Sequence, residues 1–226
     1  MKLSVVVPTF NEEAVIAETL RRAVAALAPH ELIVADGDST DDTAERARPH
    51  ATVLALPMLT RGAALNHAAT IATGEVLLFL HADTLLPMGA AAAIATALED
   101  ARVVGGAFHL RFDHPGRIAA LVASNVNLRS CLLNTFFGDQ AMFVRRDVFT
   151  QIGGFKEWNV MEDLEILSRL RRRGRLALLD QVVITSARRH QKAGWFRTIA
   201  TIWLMTLMHR LGVSGDAMAR WYKPQR

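Results

Sequence analysis

Short apolar runs alternate with longer stretches of helical periodicity through the first half of the chain. "LSVVVPTF", "ELIVADG", "TVLALP" and "EVLLFLHAD" are rich in β-branched and large aliphatic residues and predict strands. "NEEAVIAETLRRAVAAL" sets Val15, Ile16, Leu20, Ala23, Val24 and Leu27 at helical spacing, after an Asn11 cap with two glutamates in the first turn. "STDDTAERAR" opens on Ser39 with Asp42 three residues on, a capping-box arrangement, and "TRGAALNHAATIAT" reads as a loop and a helix ended by Gly74. Strands alternating with helices of this length predict an α/β fold with a mainly parallel sheet and helices on both faces.

The second half is less regular. "ARVVGGAFHLRFD" is an extended segment with a glycine pair for a bend or bulge, and "GRIAALVASNVNLRSCLLNTFF" is helical. "GDQAMFVRRDVFTQIGGF" reads as strand, turn and short helix. "EDLEILSRLRRRG" is an amphipathic helix ended by Gly174, and "LALLDQVVITSARRH" is strand-like. With no repeat, low-complexity tract or linker, the expectation is one domain over 1–226. Its parts are a ligand-binding half (1–100), a catalytic half (101–190) and a C-terminal apolar helix and tail (191–226).

Half of the 226 residues are apolar, enough for a packed core, and the lone Cys131 excludes a disulfide framework or a thiolate metal cluster. That suits a reducing, cytoplasmic compartment. The N-terminal apolar run is too short for a signal peptide, and no stretch supplies the roughly 20 apolar residues of a spanning helix. The net charge of +4 conceals basic clusters in "SRLRRRGRL" and "SARRHQK". They are a solvated face, or they meet phosphate-bearing substrates or an anionic membrane surface. Without interleaved aromatics or a recognition motif, nucleic acid is not expected.

Ligands of parallel α/β sheets sit beyond the carboxyl ends of the strands. The candidates there are Thr9–Glu13, Asp36–Thr40 and His81–Asp83, with Asn11 and Ser39 also read as helix caps. "ADGDST" resembles the nucleophile signature of haloacid-dehalogenase-like phosphatases, with Asp36 attacking phosphorus and Asp38 as acid/base. That pattern needs a late acidic pair, and "GDQAMF" ends in Phe143 where the second acid belongs.

The ordered set "VVPTFNEE", "IVADGDSTDDT", "RGAALNHA", "LLFLHADT", "GDQAMFVRR" and "MEDLEILSRLRRRG" resembles family 2 glycosyltransferases of the GT-A fold, from residue 3 to about 190. It is most similar to the compact bacterial branch that includes enzymes associated with arsenosugar biosynthesis. The resemblance implies a Rossmann-like GT-A domain that moves a sugar from a nucleotide diphosphate donor, UDP- or GDP-linked, to an acceptor hydroxyl. The acceptor, a small metabolite or a lipid-linked molecule, is left open.

By the same resemblance, Pro8, Thr9, Asn11 and Glu12 lie against the nucleoside, with Glu12 or Glu13 near the ribose, and Asp36 reads the base edge. Asp38 is displaced from the usual pattern. Arg61 approaches the diphosphate, Gly62 lets backbone come close, and Asn66 follows one helical turn on. His81-Ala82-Asp83 occupies the place of the family's Asp-x-Asp, so Asp83 and His81 would hold Mn²⁺ or Mg²⁺, the imidazole leaning the site towards manganese. In an extended segment both would face one ion. Asp163 matches the base, with Glu162 orienting the acceptor or an arginine. Gly138, Asp139 and Gln140 line the sugar and acceptor pocket, and Arg189 and His190 approach the diphosphate. A non-catalytic nucleotide-sugar-binding or membrane-surface protein is the rival, and His81 is its best argument.

"WFRTIATIWLMTLMHRLGV" is apolar nearly all round. It predicts a helix packed on the domain, a dimer contact, or a helix in the membrane interface beside the basic cluster.

Overall fold

Leu3–Thr9 forms strand β1, in which Leu3, Val5, Val6 and Val7 are fully buried, as a strand covered on both faces requires. The computed structural model describes residues 1–27 and 31–221, so the end of the predicted tail, 222–226, lies outside the described residues. After β1 come α1 (Ile16–Leu27), β2 (Glu31–Asp36), α2 (Thr43–Ala47), β3 (Thr52–Ala55), α3 (Arg61–Ile71), β4 (Val76–Phe79), β5 (Thr84–Leu85) and α4 (Ala90–Ala97). The second half runs β6 (Val103–Phe112), α5 (Arg117–Leu133), a 3-10 turn (Gly138–Gln140), β7 (Met142–Arg145), α6 (Arg146–Gln151) and α7 (Glu162–Leu170). It closes with β8 (Arg175–Thr185), α8 (Arg188–Ala193), α9 (Trp195–Arg210) and α10 (Gly215–Ala219).

The strands form one sheet in the order β3-β2-β1-β4-β7-β6-β8-β5. Pairing is parallel for β1–β2, β2–β3, β1–β4 and β6–β8, and antiparallel for β4–β7, β6–β7 and β5–β8. The sheet is therefore mixed in its second half, and the reversal assembles the site. Antiparallel pairing of Phe79 with Met142 sets the start of β7 beside the end of β4. Gly138–Gln140 is thereby delivered to His81. Since β6 opposes β7, the carboxyl ends of β6 and β8 reach the same edge, where β1, β2 and β4 also end.

Side-chain alternation divides the core between the two faces. Val5, Val7 and Leu78 pack with α1, α4 and α5 on one side; Val6, Leu77 and Phe79 pack with α3, α7 and Met205 of α9 on the other. The predicted glycine pair marks an irregular register at Val103/Gly105. A Cβ on Gly106 would sit 2.1 Å from the Ala177 carbonyl oxygen, so only glycine lets β6 and β8 approach there.

Two capping expectations are corrected. α1 begins at Ile16, well past Asn11, which has φ of 53°. Its side chain accepts from the Thr40 N–H (2.9 Å), and its own N–H donates to Ser39 Oγ (2.9 Å). Asn11 and Ser39 thus tie the loops after β1 and β2 together instead of capping helices. α2 starts only at Thr43, and its Asp42 cap makes no side-chain cap hydrogen bond. The segment 188–190, read as strand, turns into α8. Helix α9 does pack on the domain, through Thr198, Met205 and Thr206, but leaves Phe196, Leu204 and Leu207 exposed. Among the described residues, no helix is long and apolar enough to cross a membrane.

Candidate active site

A cleft of about 1060 Å³ opens where the strand ends converge, walled on the far side by α5 and α9. Of the predicted residues, Pro8, Thr9, Asn11, Glu12, Arg61, His81, Ala82, Asp83, Gly138, Asp139, Glu162, Asp163, Arg189 and His190 line it. Asp36, Asn66 and Gln140 do not.

Each absentee has hydrogen-bonding work elsewhere. Buried Asp36 accepts from Thr9 Oγ1 (2.8 Å) through Oδ1 and from the Ser39 N–H (3.1 Å) through Oδ2, so its carboxylate ties together the loops after β1 and β2. The same bonds, with Asp38 exposed, leave no presented nucleophile for phosphatase chemistry. Gln140 is fully buried; its Nε2 donates to the Phe108 carbonyl (3.0 Å), and Oε1 accepts from Ser130 Oγ (3.1 Å). It clamps the 3-10 turn to β6. The Asn66 amide is bonded both ways to the backbone of Phe155. Gly62 does permit a close approach, but to the Lys156 carbonyl, 2.4 Å from where a Cβ would lie. Glu13 turns to the Asp42 N–H.

On the side of β1, Arg188 at the start of α8 spans two acids. Its Nη2 donates to Glu12 (2.6 Å), and its Nε lies 3.3 Å from Asp83 Oδ2. Burial pushes both Glu12 and Asp83 up from the ordinary carboxylate range, and Arg188 pulls against it. Arg188 was passed over in the sequence in favour of Arg189, its neighbour on the same short helix.

On the side of α7, Arg61 is the hub. Its Nε donates to Glu162 Oε1, its Nη1 lies 2.7 Å from His81 Nε2, and its Nη2 lies 3.5 Å from Asp163. A guanidinium only donates, so His81 Nε2 is the acceptor and the proton sits on Nδ1. Burial, joined by Arg61, Arg189 and Arg188, holds this imidazole well below its ordinary range, so it is neutral. Gly138 is required by the same contact: a Cβ there would come within 2.4 Å of His81 Nε2. Asp163 accepts from the Gly138 N–H (3.1 Å). Met161, immediately before the acidic pair, has φ of 63°, strain that aims the first turn of α7 at the cleft.

His81-Ala82-Asp83 is a turn, closed by the Thr84 N–H donating to the His81 carbonyl (3.1 Å), not an extended segment. The imidazole therefore faces Arg61 while Asp83 faces Arg188, which corrects the expectation that both address one ion. Among the described residues no three His, Cys, Asp or Glu side chains converge as metal ligands. What remains is the Asp83 carboxylate at the cleft wall. That fits a hard dication held by one protein oxygen and completed by phosphates. The ground for preferring manganese goes with His81.

Asp139 is half-buried, its Oδ1 is covered and has no hydrogen-bond partner among the described residues, and burial above all pushes its carboxyl up to about 6. A folded-state value above the unfolded one means that the folded chain binds more protons in that window. Stability from this group is fully present below about 4 and declines as pH rises through about 6. Asp139→Asn is accordingly expected to raise Tm at pH 8, with the difference from the parent shrinking to nothing by pH 4. Thermal melts across that range test it, and a pH-independent difference would reject the assignment.

The family model for "Glycosyl transferase family 2" matches residues 4–153, more than half of the chain. The chain belongs to glycosyl transferase family 2. None of the curated proteins matches it. Among solved structures, this family 2 chain is similar to S. aureus TarS 1-349 at 21% identity, TM-score 0.66, over 83% of this chain and 61% of that one. It is similar to the mannosyltransferase PcManGT from Pyrobaculum calidifontis, in complex with GDP-Man and Mn²⁺, at 24% identity, TM-score 0.62, covering 81% and 56%. It is also similar to glucosyl-3-phosphoglycerate synthase from Mycobacterium tuberculosis, with Mn²⁺, UDP and glucosyl-3-phosphoglycerate, at 22% identity, TM-score 0.57, covering 82% and 70%. The chain thus spans about three-fifths of the TarS structure. These likenesses establish the GT-A fold.

Proposed function

We propose that this family 2 member transfers a sugar from a nucleotide diphosphate sugar to an acceptor hydroxyl, with inversion, using Asp163 as base. The observation that carries the reading is the convergence on one cleft of the Glu162-Asp163 pair and the His81–Asp83 turn, bridged by Arg61. Pro8, Thr9, Asn11, Glu12 and Ala82 would border the nucleotide, with Asp36 holding their loops. Arg61, Arg188 and Arg189 supply positive charge for the departing diphosphate. Asp139, Gly138 and Glu162 border the acceptor side. Asp163 takes the hydroxyl proton as the oxygen attacks the anomeric carbon, and the bond to the diphosphate breaks with its electron pair leaving on phosphate oxygen. Single displacement inverts the centre.

Asp83 would hold the divalent cation, Mn²⁺ or Mg²⁺, which when bound offsets charge on the leaving group. PcManGT and the synthase were solved with Mn²⁺, and TarS with UDP-GlcNAc, which supports a metal and a UDP- or GDP-linked donor. Membership of the arsenosugar-associated branch is part of this proposal and rests on the sequence resemblance. We divide the domain functionally at about residue 100, donor side before it and acceptor side after.

Calorimetric titration with UDP and GDP, each with Mn²⁺, Mg²⁺ or EDTA, tests the donor assignment. One nucleotide is expected to bind in a metal-dependent way, with the dependence lost in Asp83→Ala. Binding of neither nucleotide under any condition would overturn the transferase reading.

A further inference from the structure

Arg129 is the sole charged residue between Arg117 and Asp139. It projects from α5 into the cleft wall, only 8% exposed, with its guanidinium 4.2 Å over the Phe137 ring. Its Nε and Nη2 are buried and have no hydrogen-bond partner among the described residues. These two atoms form one edge of the guanidinium, the edge that grips a carboxylate or phosphate with two parallel hydrogen bonds. Asp139, which lines the same cleft, also has an unpartnered oxygen, yet the two side chains form no ion pair. A buried cation left unpaired beside an acid that does not reach it is costly unless something else belongs between them.

We propose that Arg129 and Asp139 form an acceptor subsite for an alcohol that carries an oxyanion, a phosphate or carboxylate. In the structure these atoms are closed off from solvent, so both side chains turn into the cleft as the ligand binds: the Nε–Nη2 edge of Arg129 then holds the oxyanion, and Asp139 Oδ1 accepts from a hydroxyl. The proposal rests on the transferase reading for the word acceptor, but the oxyanion site itself does not. The oxyanion belongs to a small polar molecule or to a lipid headgroup, and both present the same chemistry to Arg129.

The test is calorimetry on the full chain with the donor site filled by whichever of UDP or GDP binds, so that phosphate probes are kept off Arg61 and Arg188. Glycerol 3-phosphate, dihexanoyl phosphatidylglycerol and glycerol are compared on the parent and on Arg129→Met. Binding of an anionic probe but not of glycerol, weakened on the order of 30-fold or more in Arg129→Met, supports the subsite. Glycerol 3-phosphate binding the tighter of the two assigns a small acceptor, and the phosphatidylglycerol a lipid one. Arg129→Met is also expected to raise Tm by about 2–4 °C, since an unpaired buried charge is removed and the stem still packs on Phe137. Equal binding by parent and variant, or a variant that is less stable, overturns the proposal. Should neither nucleotide bind, the transferase reading fails, and the same titration without nucleotide still decides the oxyanion site.

The outward face of α5 presents Leu121, Leu128 and Leu132 at 70%, 57% and 71% exposure, and that of α9 presents Phe196, Leu204 and Leu207 at 77%, 58% and 54%. Both helices wall the cleft with their inner faces, and Asn125 and Trp203, each exposed, form part of its lining. The apolar faces therefore reach the cleft's mouth. No Asp or Glu occurs between Asp113 and Asp139 or between Asp180 and Asp216, whereas Arg117, Lys192, Arg197 and Arg210 flank the two helices. We infer that these faces dock on an anionic bilayer surface, with the apolar residues in the acyl boundary and the cations at the headgroups. Co-sedimentation with phosphatidylcholine vesicles containing about one-third phosphatidylglycerol tests it. Expected is binding that falls with salt and in Leu121→Glu/Leu204→Glu, and that is weak on phosphatidylcholine alone. No association with the anionic vesicles, or a stable dimer at micromolar protein that the same substitutions dissolve, overturns it.

Discussion

Asp163→Asn is expected to lower turnover by a factor of about 10² to 10⁴ while leaving nucleotide affinity within a few-fold of the parent. The substitution is close to isosteric. The one remaining side-chain oxygen can still accept from the Gly138 N–H, which keeps the 3-10 turn in place, while the amide nitrogen gives up the bond from the Leu164 N–H. What is lost is a basic oxygen at the moment the acceptor hydroxyl must give up its proton. Turnover is read as nucleotide released over time, and affinity by calorimetry. A variant with full turnover would move the base elsewhere in the cleft.

The choice of Asp163 over its neighbour follows from what each carboxylate already does. Adjacent helical residues diverge by about 100°, so the pair does not act as one group. Glu162, 3% exposed, is spent on Arg61 Nε. Asp163 meets that guanidinium only at 3.5 Å, and each of its oxygens takes one backbone N–H, Oδ2 from Gly138 and Oδ1 from Leu164, which leaves each with lone-pair capacity for a hydroxyl proton. Glu162→Gln should therefore lose less turnover than Asp163→Asn. The contrast separates a proton acceptor from a residue that orients the cation beside it.

Much of this was legible in the sequence, because strand identity and strand-end chemistry are local. Four apolar runs predicted four strands, and the polar residues at the ends of the first and fourth line the cleft. Pairing direction was not legible. That β7 runs against β4 depends on a partner more than 60 residues away, and this reversal is what brings Gly138 to His81. Asn66 and Gln140 stand outside the cleft lining for one reason: an amide binds ligand or backbone equally well, and the backbone of Phe155 and Phe108 engages them. Extended geometry was assumed for His81–Asp83, and a turn stood there. Arg129 does carry a signal: an arginine in the body of a helix whose other charge, Arg117, stands at its first residue either snorkels to solvent or has a buried partner to meet.

Arg61→Gln is expected to cost about 3 kcal/mol or more of stability, a Tm loss on the order of 10 °C in a chain of this size. The reason is what the change leaves behind. Glu162 would be almost fully covered with no cation beside it, and burial already pushes its carboxyl up. His81 Nε2 would lose its charged donor. The double variant Arg61→Gln/Glu162→Gln removes both charges and lets two amides bond to each other, so it should recover most of the loss. The double-mutant cycle then yields a large coupling energy, whereas equal instability of the single and double variants would mean that Arg61 acts by packing alone. Donor binding separates stability from function. The double variant is expected to fold well yet bind nucleotide diphosphate weakly, because the amide cannot replace the positive charge that Arg61 brings to the cleft. Glu162 thus anchors Arg61, and Arg61 in turn fixes the neutral tautomer of His81, so one part-buried ion pair sets the geometry of this side of the cleft.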